Sequence, residues 1–274
     1  MLAKRVLAVC LSALACSACA GLQSKPGVYE IMKEHFKEGP RRIPLIYARP
    51  AQVKHPNYLV VFATGDGGWR SVSLEVFDHL AELGYMCAGV SSPDAVKPVK
   101  RAGEKVSTAQ AAERVKAAFS QAKHKFGLAE STPIIVVGFS RGATLVAFSA
   151  LHPNIRDQLG GAIALALTRE ADYLRAPPAE RAPDIQVDAK GRIQIYPAMK
   201  FLGSVPVAVI QSTNDPYVPA AESRQLLGPD TPTLRLYEVE SSNHRFGGAR
   251  DQMIADVDDA LRWIEQPRRT AAAN

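Results

Sequence analysis

Residues 132–152, TPIIVVGFSRGATLVAFSALH, restrict the fold more than any other part of the chain. Ile134, Ile135, Val136 and Val137 form an apolar run long enough for a buried parallel strand and too short for a helix. Gly138-Phe139-Ser140-Arg141-Gly142 follows at once, and Leu145, Val146, Phe148 and Leu151 then recur at helical spacing. A strand that turns through Gly-x-Ser-x-Gly into a helix is a nucleophile elbow. So sharp a turn strains the serine backbone, and a β-carbon on a flanking glycine would strike the adjoining strand or helix. The motif predicts an exposed Ser140 hydroxyl at a helix start, where backbone N–H groups and the helix dipole favour negative charge.

The remaining chain repeats the same alternation. Strands are expected at 58–63, 85–90, 162–167, 205–210 and 234–239, with 43–47 as an edge strand. Amphipathic helices are expected at 72–83, 109–126 and 253–264, the first two ended by Gly84 and Gly127. Strands alternating with helices imply a mainly parallel sheet covered on both faces. With the elbow in place, the fold class is α/β, an α/β-hydrolase fold with a small cap or none. Room for a cap lies between Leu167 and Val205, where 185–187 and 193–195 are set to pair as a hairpin across 188–192. The expected organisation is a secretion signal at 1–20, an extension with an edge strand at 21–57, the hydrolase domain at 58–266, and a flexible tail at 267–274.

Lys4 and Arg5, an apolar stretch from Val6 to Ala15, and small residues through Ala20 make a bacterial-type export signal, too short to span a bilayer permanently. Two ends remain open: cleavage after Ala18-Cys19-Ala20, or lipidation of Cys16 or Cys19. Either puts the domain in the periplasm, soluble or lipid-anchored. Cys10, Cys16 and Cys19 belong to this leader, which leaves Cys87 as a buried core residue and argues against a disulfide or a cysteine metal site. The net charge of +6 is dispersed among acidic residues. It suits attraction to anionic lipid, whereas nucleic-acid binding lacks an aromatic-interleaved basic stripe.

A serine hydroxyl needs a base to take its proton as it attacks. In this fold the order is Ser, then an acid, then His. Of six histidines only His152 and His244 follow Ser140. His152 ends the elbow helix, where it suits a C-terminal cap; His244 lies in the loop after the final strand and is the expected base. Asp215, in Ser212-Thr213-Asn214-Asp215-Pro216, follows the preceding strand and is the expected acid, with Asp172 the alternative. Gly65-Asp66-Gly67-Gly68-Trp69 follows the strand at 58–63, and its glycines let the backbone approach a ligand closely. Oxyanion donors are therefore expected from the amides of Arg141 and of Asp66 or Gly67. No metal, nucleotide or cofactor motif occurs, and ester hydrolysis requires none.

Gly65-Asp66-Gly67-Gly68-Trp69, Gly138-Phe139-Ser140-Arg141-Gly142-Ala143 and Asn243-His244-Arg245-Phe246-Gly247-Gly248 together resemble the VirJ/AcvB-like bacterial virulence proteins over roughly 58–263. The resemblance implies a periplasmic α/β-hydrolase that cleaves aminoacyl esters of phosphatidylglycerol, with Ser140 as nucleophile, Asp215 as acid and His244 as base. It also implies a membrane-lipid substrate, action at the periplasmic face of the inner membrane, and a secretion-system partner for some members. On that substrate Asp66 or Glu170 is expected to meet the ammonium, with Trp69 also in contact, and Lys97, Lys100 and Arg101 to meet lipid phosphate. One departure is the segment 91–105, rich in Pro and Lys where family members carry aromatics.

Overall fold

The computed structural model describes residues 21–38, 41–96, 105–177, 185–201 and 203–266. Eight strands, β1 (Tyr29–Glu38), β2 (Arg41–Pro50), β3 (Leu59–Ala63), β4 (Met86–Val90), β5 (Ile134–Phe139), β6 (Leu159–Leu165), β7 (Val207–Ser212) and β8 (Leu234–Val239), form one sheet in the order β1-β2-β4-β3-β5-β6-β7-β8. β2 runs antiparallel to both β1 and β4, and every other pairing is parallel. The main helices are α1 (Val72–Glu82), α2 (Thr108–Phe126), α3 (Arg141–Leu151), α4 (Ala220–Leu227) and α5 (Arg250–Glu265).

Both faces of the sheet are covered, which is why its central strands read as unbroken apolar runs rather than alternating ones. Leu59, Val61 and Ala63 of β3 share one core with Ala111 and Phe119 of α2 and Val146 of α3. Val60 and Phe62 point the other way, into a second core with Val76 and Leu80 of α1 and Val257 and Leu261 of α5. Cys87 is fully buried in that second core, and burial pushes its thiol up. The start of α2 is fixed by a capping box. Ser107 Oγ accepts the Gln110 N–H at 3.2 Å and Gln110 Oε1 accepts the Ser107 N–H at 3.0 Å. Its end is set by Gly127 at φ 69°, left-handed geometry that glycine adopts without strain.

The N-terminal segment departs from expectation. The strand expected at 43–47 exists as part of β2 but is not at the edge: β2 pairs with β1 along ten residues and with β4 on its other side, which leaves β1 at the edge. The hairpin is part of the sheet, so the boundary drawn at residue 57 divides one structure. In the cap region, Val187 bridges Ile193 and the Gln194 N–H donates to Gln186 O at 2.8 Å, in the expected register. Residues 193–194 also pair with Glu170–Ala171, which ties this hairpin to the loop after β6. The export signal, Lys97, Lys100, Arg101 and the 267–274 tail lie outside the described residues.

Candidate active site

Every chemical element of the site sits beyond the C-terminal end of a parallel strand, where open α/β sheets bind ligands. Ser140 follows β5, Asp215 follows β7, His244 follows β8, and the 65–68 loop follows β3. Ser140 has φ 56° and ψ −116°, a strained conformation for a residue with a β-carbon. Close packing enforces that strain. A Cβ on Gly138 would lie 2.4 Å from Gly142 O, and one on Gly142 only 2.0 Å from Ala63 O. Helix α3 is thus pressed directly onto the end of β3, and only glycine fits.

Ser140 Oγ lies 2.8 Å from His244 Nε2, and His244 Nδ1 lies 2.6 Å from Asp215 Oδ2. A carboxylate only accepts, so Nδ1 carries the hydrogen and Nε2 is left to accept the Ser140 O–H. The Asp215 side chain is fully buried, yet well satisfied. Its Oδ2 also accepts from Gln211 Nε2 at 3.1 Å, and its Oδ1 from the Tyr217 N–H at 2.9 Å. Three donors hold the carboxylate aimed at the imidazole. The His244 loop is shaped by Asn243, whose Oδ1 accepts the N–H groups of Arg245 and Gly247. The fully buried Phe246 anchors it to the core. Asp172, the alternative acid, stands exposed elsewhere in the cleft, and Asp215 occupies the position against Nδ1.

The expected oxyanion donors come from two adjoining turns. Arg141 is the first residue of α3, so its N–H has no acceptor within the helix. Asp66 and Gly67 are the central residues of a turn closed by the Gly68 N–H to Gly65 O at 3.0 Å, which leaves their own amides unused by that turn. The side chains of these two segments also meet, because Arg141 Nε forms an ion pair with Asp66 Oδ1. The Arg141 guanidinium further stacks over the Tyr173 ring, 4.9 Å from its centre. Tyr173 Oη donates to Arg141 O at 3.1 Å and lies 2.7 Å from Thr144 Oγ1. Burial pushes the Tyr173 phenol up, which keeps it a neutral donor. The arginine beside the nucleophile is therefore fixed through both backbone and side chain.

A cleft of about 350 Å³ opens over Ser140, lined by Asp66, Arg141, Thr168–Tyr173 residues other than Ala171, and Tyr217. Of the expected substrate contacts, Trp69 departs from expectation, whereas Glu170 and Asp66 line the Ser140 cleft with their carboxylates in ion pairs. Trp69 is buried: its ring packs on Phe77 at 5.0 Å and covers Gly89, where a Cβ would lie 2.3 Å from the indole. It pins the 65–68 loop to the core, and with Asp66, Gly67 and Gly68 it lines a second cleft of about 550 Å³. Glu170 does line the Ser140 cleft, but its carboxylate is taken up by Arg192. Asp66 lines both clefts, with its carboxylate engaged by Arg141.

Gln211, Tyr173 and Tyr217 were not anticipated as site residues. Gln211 left one trace in the sequence, a polar residue continuing the apolar run of β7; it accepts the Leu167 N–H at 2.9 Å and donates to Asp215.

Residues 57–214 match the model of the family described as bacterial virulence protein (VirJ). The chain belongs to the VirJ family. The match runs from just before β3 to the residue preceding Asp215, so Asp215 and His244 of this VirJ-family protein lie beyond it and rest on the geometry above. A comparison with curated proteins returned no significant match. Solved structures establish the fold. A Klebsiella pneumoniae protein assigned as a dienelactone hydrolase has a TM-score of 0.61 at 16% identity, with 87% of this chain and 99% of that one covered. A Pyrococcus furiosus esterase has a TM-score of 0.57 at 14% identity, covering 86% and 93%. The esterase domain of a Rhodothermus marinus protein has a TM-score of 0.56 at 14% identity, covering 85% and 98%. The VirJ-family chain is thus an α/β-hydrolase in fold.

Proposed function

We propose that this protein is an exported serine hydrolase of carboxylic esters, and that its substrate is an aminoacylated phosphatidylglycerol. The observation that carries the reading is the continuous hydrogen-bond chain from the strained Ser140 through His244 to the buried Asp215. A protein that had kept this fold only as a scaffold would have no use for a strained serine or a buried carboxylate held by three donors.

In the reaction, His244 Nε2 takes the Ser140 proton as Oγ attacks the ester carbonyl, and Asp215 stabilises the imidazolium that forms. The carbonyl oxygen gains negative charge between the Arg141 amide and the 66–67 turn. One such donor contributes about 3 kcal/mol to the transition state. Collapse expels the alcohol, which takes its proton from His244. Water, activated by the same imidazole, then releases the acid and restores Ser140.

Two features support the lipid substrate: membership of the VirJ family, and a polar, open cleft that suits a charged headgroup ester better than a long acyl chain. The test compares wild type with Ser140→Ala on short-chain aryl esters and on vesicles containing aminoacyl-phosphatidylglycerol. The expected outcome is turnover of the aminoacyl lipid that falls at least about 10⁴-fold in the variant. Turnover of aryl esters alone would replace the lipid reading with that of a general esterase. Absence of Ser140-dependent turnover on either would remove the enzymatic reading.

A further inference from the structure

The charges lining the Ser140 cleft do not cancel completely. Five ionic side chains line it: Asp66, Arg141, Arg169, Glu170 and Asp172. Arg141 is paired with Asp66, Arg169 with Glu222, and Glu170 with Arg192. Among the described residues Asp172 alone of the five has no ion-pair partner, and it is exposed.

Its position is nevertheless fixed. Ala171 before it is buried and paired with Ile193, and Tyr173 after it is hydrogen-bonded to Thr144 and to Arg141 O. The Asp172 backbone is thus held on both sides, and the carboxylate is presented at the rim of the catalytic cleft rather than on a loose loop. Tyr217 lines the same cleft at 61% exposure, with its ring centre 4.8 Å from that of His244. A full negative charge and an exposed aromatic ring in one cleft are the two groups that attract an organic cation. The cleft's guanidinium groups are already neutralised, so nothing cationic opposes it there.

We infer that Asp172 is a specificity residue that reads a primary ammonium on the substrate, so that the site favours esters whose acyl part is cationic. The inference rests on Ser140 acting as the nucleophile. It assigns the ammonium contact to the one cleft carboxylate that does not have to give up an arginine to make it.

The probes are alanine ethyl ester, assayed at pH 6 where its amine is charged, and N-acetylalanine ethyl ester, which has no charge. The quantity measured is the ratio of kcat/KM for the two esters, in wild type, Asp172→Asn and Asp172→Lys, with Ser140→Ala as background. Wild type should prefer the charged ester, and Asp172→Asn should lower the ratio about tenfold, as expected for losing a charge-assisted hydrogen bond. Asp172→Lys should reverse the preference, with monoethyl succinate becoming a better substrate than alanine ethyl ester. Any general damage to the site cancels in the ratio. Ser140-dependent turnover of both esters with the ratio unmoved in Asp172→Asn would overturn the inference and leave the hydrolase reading standing. Absence of Ser140-dependent turnover of either ester would overturn both.

Discussion

The two halves of the candidate catalytic site are built by different physics. The nucleophile half, β3 with the 65–68 loop and β5 with the elbow, is held by backbone packed against backbone. Gly138, Gly142 and Gly65 each occupy a place where a Cβ would come within 3 Å of a neighbouring atom. The acid–base half, the loops after β7 and β8, is held by buried polar groups. Ser241 Oγ meets Ser212 Oγ at 2.6 Å, Asn214 Nδ2 donates to Ser241 O at 2.7 Å, and Gln211 ties Asp215 to the loop after β6. The first half tolerates no added volume at these three glycines, and the second tolerates no lost hydrogen-bond partner. Substitutions that are mild in one half should therefore be severe in the other.

The sharpest way to break that contrast is Gly142→Ala. One added methyl must fit where Ala63 O is 2.0 Å away and Thr64 O 2.6 Å, both backbone atoms with little freedom to retreat. Helix α3 would have to move off β3, taking the Arg141 amide and Ser140 away from the 65–68 loop. Overpacking of this kind costs about 1–3 kcal/mol, and a displacement near 1 Å costs about 100-fold in rate. Gly67→Ala is the internal control: a Cβ there meets nothing within 4 Å. Its thermal stability should match wild type. Equal melting temperatures for Gly142→Ala and wild type would refute the steric account of this half.

Gln211→Leu is the corresponding substitution in the polar half, where volume is kept and the hydrogen bonds go. The Leu167 N–H and Val218 O would lose their buried partner, and Asp215 one of its three donors. Leaving such groups unsatisfied costs about 1–3 kcal/mol. A less firmly aimed carboxylate should also lower kcat by about tenfold while KM stays nearly constant, because the substrate does not touch Gln211. Urea unfolding together with steady-state kinetics reads both effects. A loss of stability with kcat unaltered would reduce Gln211 to a scaffold residue with no bearing on Asp215.

The same contrast explains what could be read in the sequence. Steric demands leave glycines, so Gly138, Gly142 and Gly65 announced the elbow and the tight turn after β3, and the flanking apolar runs placed β3, β5 and α3 within a few residues. Chain order was enough to locate Asp215 and His244. The hydrogen-bonded supports were not legible, because Gln211, Ser212 and Ser241 are ordinary polar residues until folding brings them together. Trp69 misled for a related reason: an aromatic in a glycine-rich loop reads as a ligand contact, whereas its partners Phe77 and Gly89 are defined only by the fold. The ion pairs of Asp66 and Glu170 join segments far apart in the chain, so their engagement with Arg141 and Arg192 left no local pattern. The β1–β2 hairpin escaped notice because most described β1 side chains are not buried, Tyr29 and Phe36 being the exceptions. That leaves a charged edge strand without clean alternation.

The smallest expected effect concerns the helix that follows the His244 loop. Asp259 of α5 accepts from Tyr237 Oη at 2.9 Å, so its charge is fixed where the helix meets β8. Asp256 lies one turn away on the same helix. Burial, and then the Asp259 charge, push its carboxyl up to about 6. An unfolded aspartate titrates near 4. As pH rises from about 4 to about 6 the unfolded chain therefore releases this proton first, and the folded state loses stability across that window. Below it the group is protonated in both states and contributes nothing. Asp256→Asn should accordingly raise stability at pH 8 by no more than about 1 kcal/mol, since the half-exposed side chain is screened by water, and should raise it less at pH 4.5. Thermal unfolding of both proteins at the two pH values decides the matter. A gain of equal size at both would mean that the substitution acts through helix propensity, and that ionisation of Asp256 carries no cost in the polar half of the molecule.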